Sequence, residues 1–288
     1  INLPRAVVTS WDASAPLRQG VVLAAGHPLT FTKGIVTMFK AMARERNAVA
    51  VDDAIRAHPN FQLFTGSQRR TPLFIAERLQ IGGGLAAREE AFMSRLAERI
   101  PGIRQSQRAY VTFLNKLRFD IANDVYNGWL RDVARGGKAI TERDLDELML
   151  FLNRGTGRGG LGPLENSAVI LNATFFSARL QTSRISLPLS LFTSTPRVRA
   201  LVAKDLAAFV GTGLSILALL SLSDDVEVED NPRSSDFGKI LVGKTRIDFW
   251  GGFQSIARFT AQLITNERQS LGSDATIGLN RLDTVGRF

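Results

Sequence analysis

Gly155, Gly157 and Gly160 satisfy the spacing G-x-G-x-x-G. In a dinucleotide-binding fold such glycines let backbone approach a pyrophosphate at a helix N-terminus. That chemistry needs a strand before the glycines, a helix after them and an acid about 20 residues further on. Here a helical pattern precedes them, and no acid occurs between Glu165 and Asp205. The stretch GTGRGGLG, with five glycines in eight residues, reads instead as a hinge between helices. Gly243–Lys244–Thr245 carries the letters that close a P-loop, but it falls at the tip of an expected hairpin rather than at a strand-to-helix turn. The two histidines, His27 and His58, each precede a proline and belong to turns. Neither has partners at triad or metal-ligand spacing. Glu89–Glu90 and Asp52–Asp53 are neighbours on expected helices, so their side chains diverge and form no carboxylate dyad. H-E-x-x-H and G-x-S-x-G do not occur. With no cysteine, disulfides, zinc–thiolate sites and thiol nucleophiles are excluded. The expectation is no catalytic residue, no metal ligand, no cofactor and no enzymatic activity.

Binding chemistry is better represented. The 288 residues carry a formal charge of +9, and the cations are mostly arginine, 29 against 7 lysines. Arginine forks suit phosphate and carboxylate, although a GC-rich coding sequence gives the same bias. Between Arg154 and Ala200 six arginines (Arg154, Arg158, Arg179, Arg184, Arg197 and Arg199) face one acid, Glu165, a net of +5. These six are the candidate contacts to nucleic acid or to an acidic partner. Phe175, Phe176 and Phe192 lie among them, but Phe175–Phe176 sit in LNATFF, which reads as core, so base stacking is the weaker use.

The other candidate is the uncharged run Leu206–Leu222, 17 residues against the about 20 that a membrane-spanning helix needs. Its first reading is a buried core helix, with Gly211 and Gly213 allowing close packing. The sharper alternative is a segment that enters a membrane after a rearrangement, through Leu206, Phe209, Leu214, Ile216, Leu217, Leu219, Leu220 and Leu222.

The elements that position these residues are mainly helical. An extended N-terminal arm with at most short helical pieces covers 1–28, where Pro4, Pro16 and Pro28 recur. A helical domain follows over 29–153. It holds helices over 30–46, where Ile35, Met38, Phe39 and Met42 keep helical spacing, and over 48–57. Further helices cover 86–100 and 106–135, the last with the stripe Tyr110, Phe113, Leu114, Leu117, Ile121 and Val125. Gly136–Gly137 stops it, and Thr141 with Asp144 starts a helix to about 153. An Arg-rich and apolar helical region covers 154–223. It has helices over 164–183 and 197–223 and a loop punctuated by Pro188 and Pro196. The last region, 224–288, holds a hairpin, a helix from Trp250 to about Glu267 and a loose tail. The hairpin is read from Lys239–Val242 and Thr245–Phe249 around Gly243–Lys244, a tight turn of the II′ type. Pairing of Asp236 or Asp248 with Arg233 or Arg246 is the expected anchor of that hairpin. The fold class is mainly α, an irregular multi-helix bundle with one small β-hairpin near the C-terminus.

Several stretches are similar to a region of the large polyvalent proteins of tailed bacteriophages and prophages. They are DASAPLRQG (12–20), SQRAYVTFLNKLRFD (106–120), FLNRGTGRGGLGPLE (151–165), LNATFFSARLQTSRI (171–185) and NPRSSDFGKILVGKTRIDFWGGFQ (231–254). The similarity runs from about Asn2 to Gln269. It implies an internal or ejected virion component that leaves the capsid with or ahead of the DNA, located in the virion and afterwards in the host envelope or cytoplasm. Partners implied are portal and tail proteins, further copies of the chain, DNA and the host membrane, with an oligomer in the particle. It transfers no catalytic residue. A chain that begins at Ile1 rather than Met reads as a processed product or a part of a longer polypeptide.

Overall fold

The computed structural model describes residues 19–76, 102–160, 178–223, 226–231, 233–234, 236–242, 245–248, 250, 252–254, 258, 267–269 and 276–278. Residues 1–18 of the expected arm, the helix at 86–100, the start of the helix at 164–183 and the Gly243–Lys244 turn lie outside them. The protein is mainly helical, with a small three-stranded antiparallel sheet toward the C-terminal end. It forms two compact units, residues 1–206 and 207–288. The boundary between them falls inside the uncharged helical run.

In the first unit α1 spans Val21–Gly26, α2 Pro28–Ala43, α3 Glu45–Ala57, α4 Phe61–Thr65, α5 Ile103–Ala134, α6 Glu142–Gly155 and α7 Ala178–Thr193. Helix α8, Pro196–Leu220, begins in this unit and ends in the second. Helix α5 is the spine. Phe113, Leu114, Leu117 and Ile121 recur at three- and four-residue steps, so one face is apolar, and all four are fully buried. Its end is a Schellman turn: Gly137 N–H donates to Asp132 O and Gly136 N–H to Val133 O. Gly136 has φ +88°, a conformation that side-chain-bearing residues resist. Helix α6 then starts on a reciprocal cap, Thr141 Oγ1 accepting from Asp144 N–H and Asp144 Oδ2 accepting from Thr141 N–H.

Helix α2 lies along α5. Phe31 meets Phe113 edge-on at 5.5 Å, and Gly34 faces the Phe113 ring at a distance that leaves little room for a Cβ. Arg108 of α5 donates to the last carbonyls of α2, Ala41 O at 2.8 Å and Met42 O at 2.9 Å. The buried side of α2 is Gly34, Met38 and Ala41. Phe39 and Met42, part of the apolar stripe read from the sequence, are exposed instead.

An extended strap over 72–76 crosses α5 and α6 and is held by amide side chains rather than by a sheet. Asn153 accepts from Phe74 N–H at 2.9 Å and donates to Pro72 O at 3.0 Å. Asn115 accepts from Ala76 N–H at 2.9 Å and donates to Ala76 O at 3.0 Å. Each primary amide supplies one donor and one acceptor, as a neighbouring strand would.

In the second unit β1 (Glu227–Val228), β2 (Ile240–Val242) and β3 (Thr245–Ile247) pair antiparallel in that order. Val242 faces Thr245, the register of a two-residue hairpin, and Val228 faces Ile240. The hairpin therefore has a third strand. Two departures from the sequence pattern follow. The stretch read as a loose tail contains β5 (Thr276–Gly278), which pairs antiparallel with β4 (Glu267–Gln269), where the expected C-terminal helix ends. Pro188 lies inside α7 rather than in a loop. Proline has no N–H, so the helix lacks one of its i→i−4 bonds at this position. The helix continues because Leu187 and Ser190 beside it are buried.

Candidate functional site

The six arginines of the Arg154–Arg199 stretch emerge from four different elements. Arg154 ends α6 and donates to Ser190 Oγ of α7 at 2.8 Å; burial pushes its guanidinium below its usual range. Arg158 lies over the Phe74 ring of the strap at 3.2 Å, with Arg118 near the same ring at 5.3 Å. Arg179 and Arg184 are half-buried on α7, five residues apart and thus on different sides of the helix. Arg197 packs on Trp129 at 5.4 Å, donates to Lys138 O and lies 3.7 Å from Asp132. Arg199, two residues on, points away from Arg197. It is exposed and donates to Ser194 O at 3.0 Å. The six do not line one face: five are half-buried and tied into the packing of α5–α8, and Arg199 alone of them is exposed. A sequence run concentrates charge along the chain, but helical rotation disperses it around the axis.

The acids near this corner are occupied. Glu147 of α6 accepts from Thr195 N–H and from Arg143 Nε. Burial alone would raise the Asp144 carboxyl. Hydrogen bonds from Thr141 N–H and from the Thr195 and Thr141 hydroxyls, with attraction from Arg197, bring it below its usual range.

The glycine-rich stretch is not a free hinge over its described part. Residues 155, 156, 157 and 159 are buried. Gly155 packs on Leu23, Gly157 meets Leu180 and Gln19, and Gly159 N–H donates to Arg179 O at 3.0 Å. An added Cβ at Gly159 would overlap the backbone of α7. The glycines allow α6, α7 and α1 to approach one another. Thr156 Oγ1 also accepts from Arg118 Nε at 2.7 Å, a fully buried guanidinium that donates to Phe74 O as well.

Helix α8 is not the buried core helix that its composition first suggests. In its first part Val198, Val202 and Asp205 are fully buried at steps of four and three. Beyond Leu206 the buried side narrows to Phe209, Gly213 and Leu217, while Leu214, Ile216, Leu219 and Leu222 stand in solvent. Leu206 and Leu220 are half-buried. By length and composition this helix could cross a membrane, and most of its apolar stretch lies outside the core. The thin buried stripe holds Trp250. Phe209 meets Trp250 edge-on at 5.5 Å, and Gly213 abuts the Trp250 ring so closely that a Cβ would overlap it. Trp250 Nε1 donates to Gly238 O at 2.9 Å. The sequence marks Trp250 as the start of a helix, and its role as the centre of the second unit goes unread. The available signal is the small residue in α8 opposite the one tryptophan set among glycines.

Of the four hairpin residues, Asp236 and Arg246 pair at 2.7 Å, and Lys239 Nζ meets the other Asp236 oxygen at 2.7 Å. The Lys239 hydrogen bond, opposed by burial and assisted by attraction to Lys239, Arg246 and Arg258, holds the Asp236 carboxyl below its usual range. Asp248 accepts from Trp250 N–H at 2.9 Å. Arg233 is exposed, its N–H donating to Asn231 Oδ1. The Asp236–Arg246 pair thus ties the turn to β3, within the sheet.

Both histidines pack against other elements. His27 Nε2 lies 3.1 Å from Asp205 Oδ2, joining the α1–α2 corner to α8, and His58 meets Phe119 edge-on at 5.1 Å. Among the described residues no three His, Asp or Glu side chains gather as metal ligands. A small open groove lies between α3 and α5. Its acids, Glu45 and Asp52, already face Arg104, Arg108 and Arg56. No protein-family model matches the chain, and no curated protein and no solved structure matches it.

Proposed function

We propose that this chain is a structural, non-enzymatic region of a tailed-phage virion protein. In this reading it is an internal or ejected component that takes part in genome delivery. It packs as an oligomer against portal, tail or further copies of itself. What supports the reading, beside the sequence resemblance, is where large apolar side chains emerge. Leu29, Val36 and Phe39 on α2, and Ile185, Leu189 and Phe192 on α7, are each about half exposed or more. On α7 the three are spaced four and three apart, so they form one row on the side opposite buried Leu180, Ser183 and Leu187. Exposed apolar rows of this kind are a cost in solution and an asset in an assembly. The test is particle composition. Quantitative mass spectrometry is expected to find the chain at a fixed copy number in filled particles and depleted in particles that have released DNA. Its absence from filled particles removes the reading.

A second reading, a membrane-active segment acting in delivery, draws on the exposed and uncharged side of α8. Leu219→Asp tests it, because Leu219 is 69% exposed and its replacement leaves the Trp250 packing in place. Liposome leakage by wild type that disappears in this variant supports the conduit. Equal leakage, or none in either, removes it. DNA contact in the host would draw on Arg199 and the net charge rather than on a six-arginine face. Binding that does not weaken steeply with salt would exclude it.

A further inference from the structure

The solvent side of α2 is built as a coiled-coil seam. Leu29, Val36 and the intervening Thr32 and Phe39 fall at the a and d positions of a heptad that starts at Leu29, and all four are exposed. Lys33 and Lys40 take the two e positions, also exposed, and neither has an ion-pair partner among the described residues. The opposite side, Gly34, Met38 and Ala41, is already buried in the first unit. A helix apolar on two sides has one side waiting for a neighbour.

We infer that this seam docks a partner helix with apolar a and d residues and acids facing Lys33 and Lys40. Charge decides the occupant. No acid occurs between Asp12 and Glu45, and the g positions Pro28, Ile35 and Met42 carry no charge. Two copies of α2 set antiparallel would oppose lysine to lysine, and set parallel would leave every lysine unpaired. An acidic helix satisfies both lysines while covering Phe39 and Leu29. The inference rests on the assembly reading above and names the chemistry of one of its contacts.

The probe is a synthetic helix of about three heptads with Leu at a and d and Glu at e and g, whose own repulsion disfavours self-pairing. A second peptide replaces Glu by Lys. Fluorescence anisotropy with the whole chain is expected to show the Glu peptide binding at least about tenfold more tightly than the Lys peptide, and losing that margin at high salt. Phe39→Ser is expected to weaken the Glu peptide by about tenfold, in line with loss of a buried aromatic anchor. Lys33→Glu with Lys40→Glu is expected to invert the preference. Both changes are at exposed positions, and far-UV circular dichroism checks that the helices persist. Equal binding of the two peptides, or indifference to Phe39→Ser, overturns the seam. So does self-association abolished by Phe39→Ser, or Phe39-dependent binding to phosphatidylserine vesicles in place of the Glu peptide. If the peptide arms fail while the chain is present in particles, the seam alone falls. If the Glu peptide binds but particles lack the chain, the virion reading falls and the seam stands.

Discussion

Each of the two units is held together internally, and by opposite means. In the first, the strap over 72–76 is stitched to α5 and α6 by buried polar side chains: Asn115, Asn153 and the fully buried Arg118. In the second, a two-sided wedge does the work. Trp250, only 1% exposed, sits between Gly213 and Phe209 of α8 and the Gly238 carbonyl in the turn before β2. The first arrangement depends on direction, since each amide must meet a donor and an acceptor. The second depends on volume. The units are therefore expected to fail differently: the first when a polar group is orphaned, the second when space is created or overfilled.

Removing the wedge is the strongest way to break that contrast. Trp250→Ala is expected to destabilise the second unit by about 3–5 kcal/mol, the range for large aromatic truncations in a core. Hydrogen exchange should rise in peptides from 226–254 and stay unchanged in those from 103–134. Gly213→Ala attacks the same contact from the other side. Its Cβ overlaps the Trp250 ring, and overpacking of this kind costs about 1–3 kcal/mol. Exchange that rises equally in both regions would show that volume at Trp250 also governs the first unit.

Arg118→Met comes next. The methionine keeps much of the length but removes the donors to Thr156 and to the Phe74 carbonyl. Orphaned buried acceptors cost about 1–3 kcal/mol each. The strap should open first, read as protease cleavage near 66–76 before any loss of α5 helicity. Asn153→Leu is the milder form of the experiment. It is nearly isosteric, yet it orphans Phe74 N–H and Pro72 O, at a cost of about 1–3 kcal/mol. If Asn153→Leu proves neutral, the stitching account is wrong and apolar contact holds the strap.

What the sequence disclosed follows from the range of each interaction. The α5 stripe, the Gly136–Gly137 stop and the Thr141–Asp144 cap are read within a few residues, and each has the same form in the structure. The strap is not, because Asn153 and Asn115 meet partners 79 and 39 residues away. The glycine run was ambiguous in kind. Glycine serves both a hinge and a close approach, and only the neighbours at 155–159 decide. The six-arginine set is dispersed for a geometric reason: charge density along a chain says nothing about rotation around the helices that carry it. For the uncharged half of α8, composition cannot separate a buried helix from an exposed one, and exposure is what makes that helix of interest.

The smallest effect sharpens the comparison within the second unit, where one polar contact resembles the stitching of the first. Asp236 joins Lys239 and Arg246, and its carboxyl is held below its usual range. A lowered native pKa means that the folded protein binds its proton less readily than the unfolded chain. The contribution is therefore complete above the ordinary carboxylate range, near pH 4 and upward, and is lost as pH falls from there through the lowered native value. Asp236→Asn should reduce stability modestly at neutral pH and flatten the acid limb of the second unit's unfolding curve, leaving that of the first unit unchanged. The pair is partly exposed, so the change should also shrink with added salt. An acid limb that is identical in wild type and variant would mean that Trp250 alone, and no ion pair, sets the stability of the sheet.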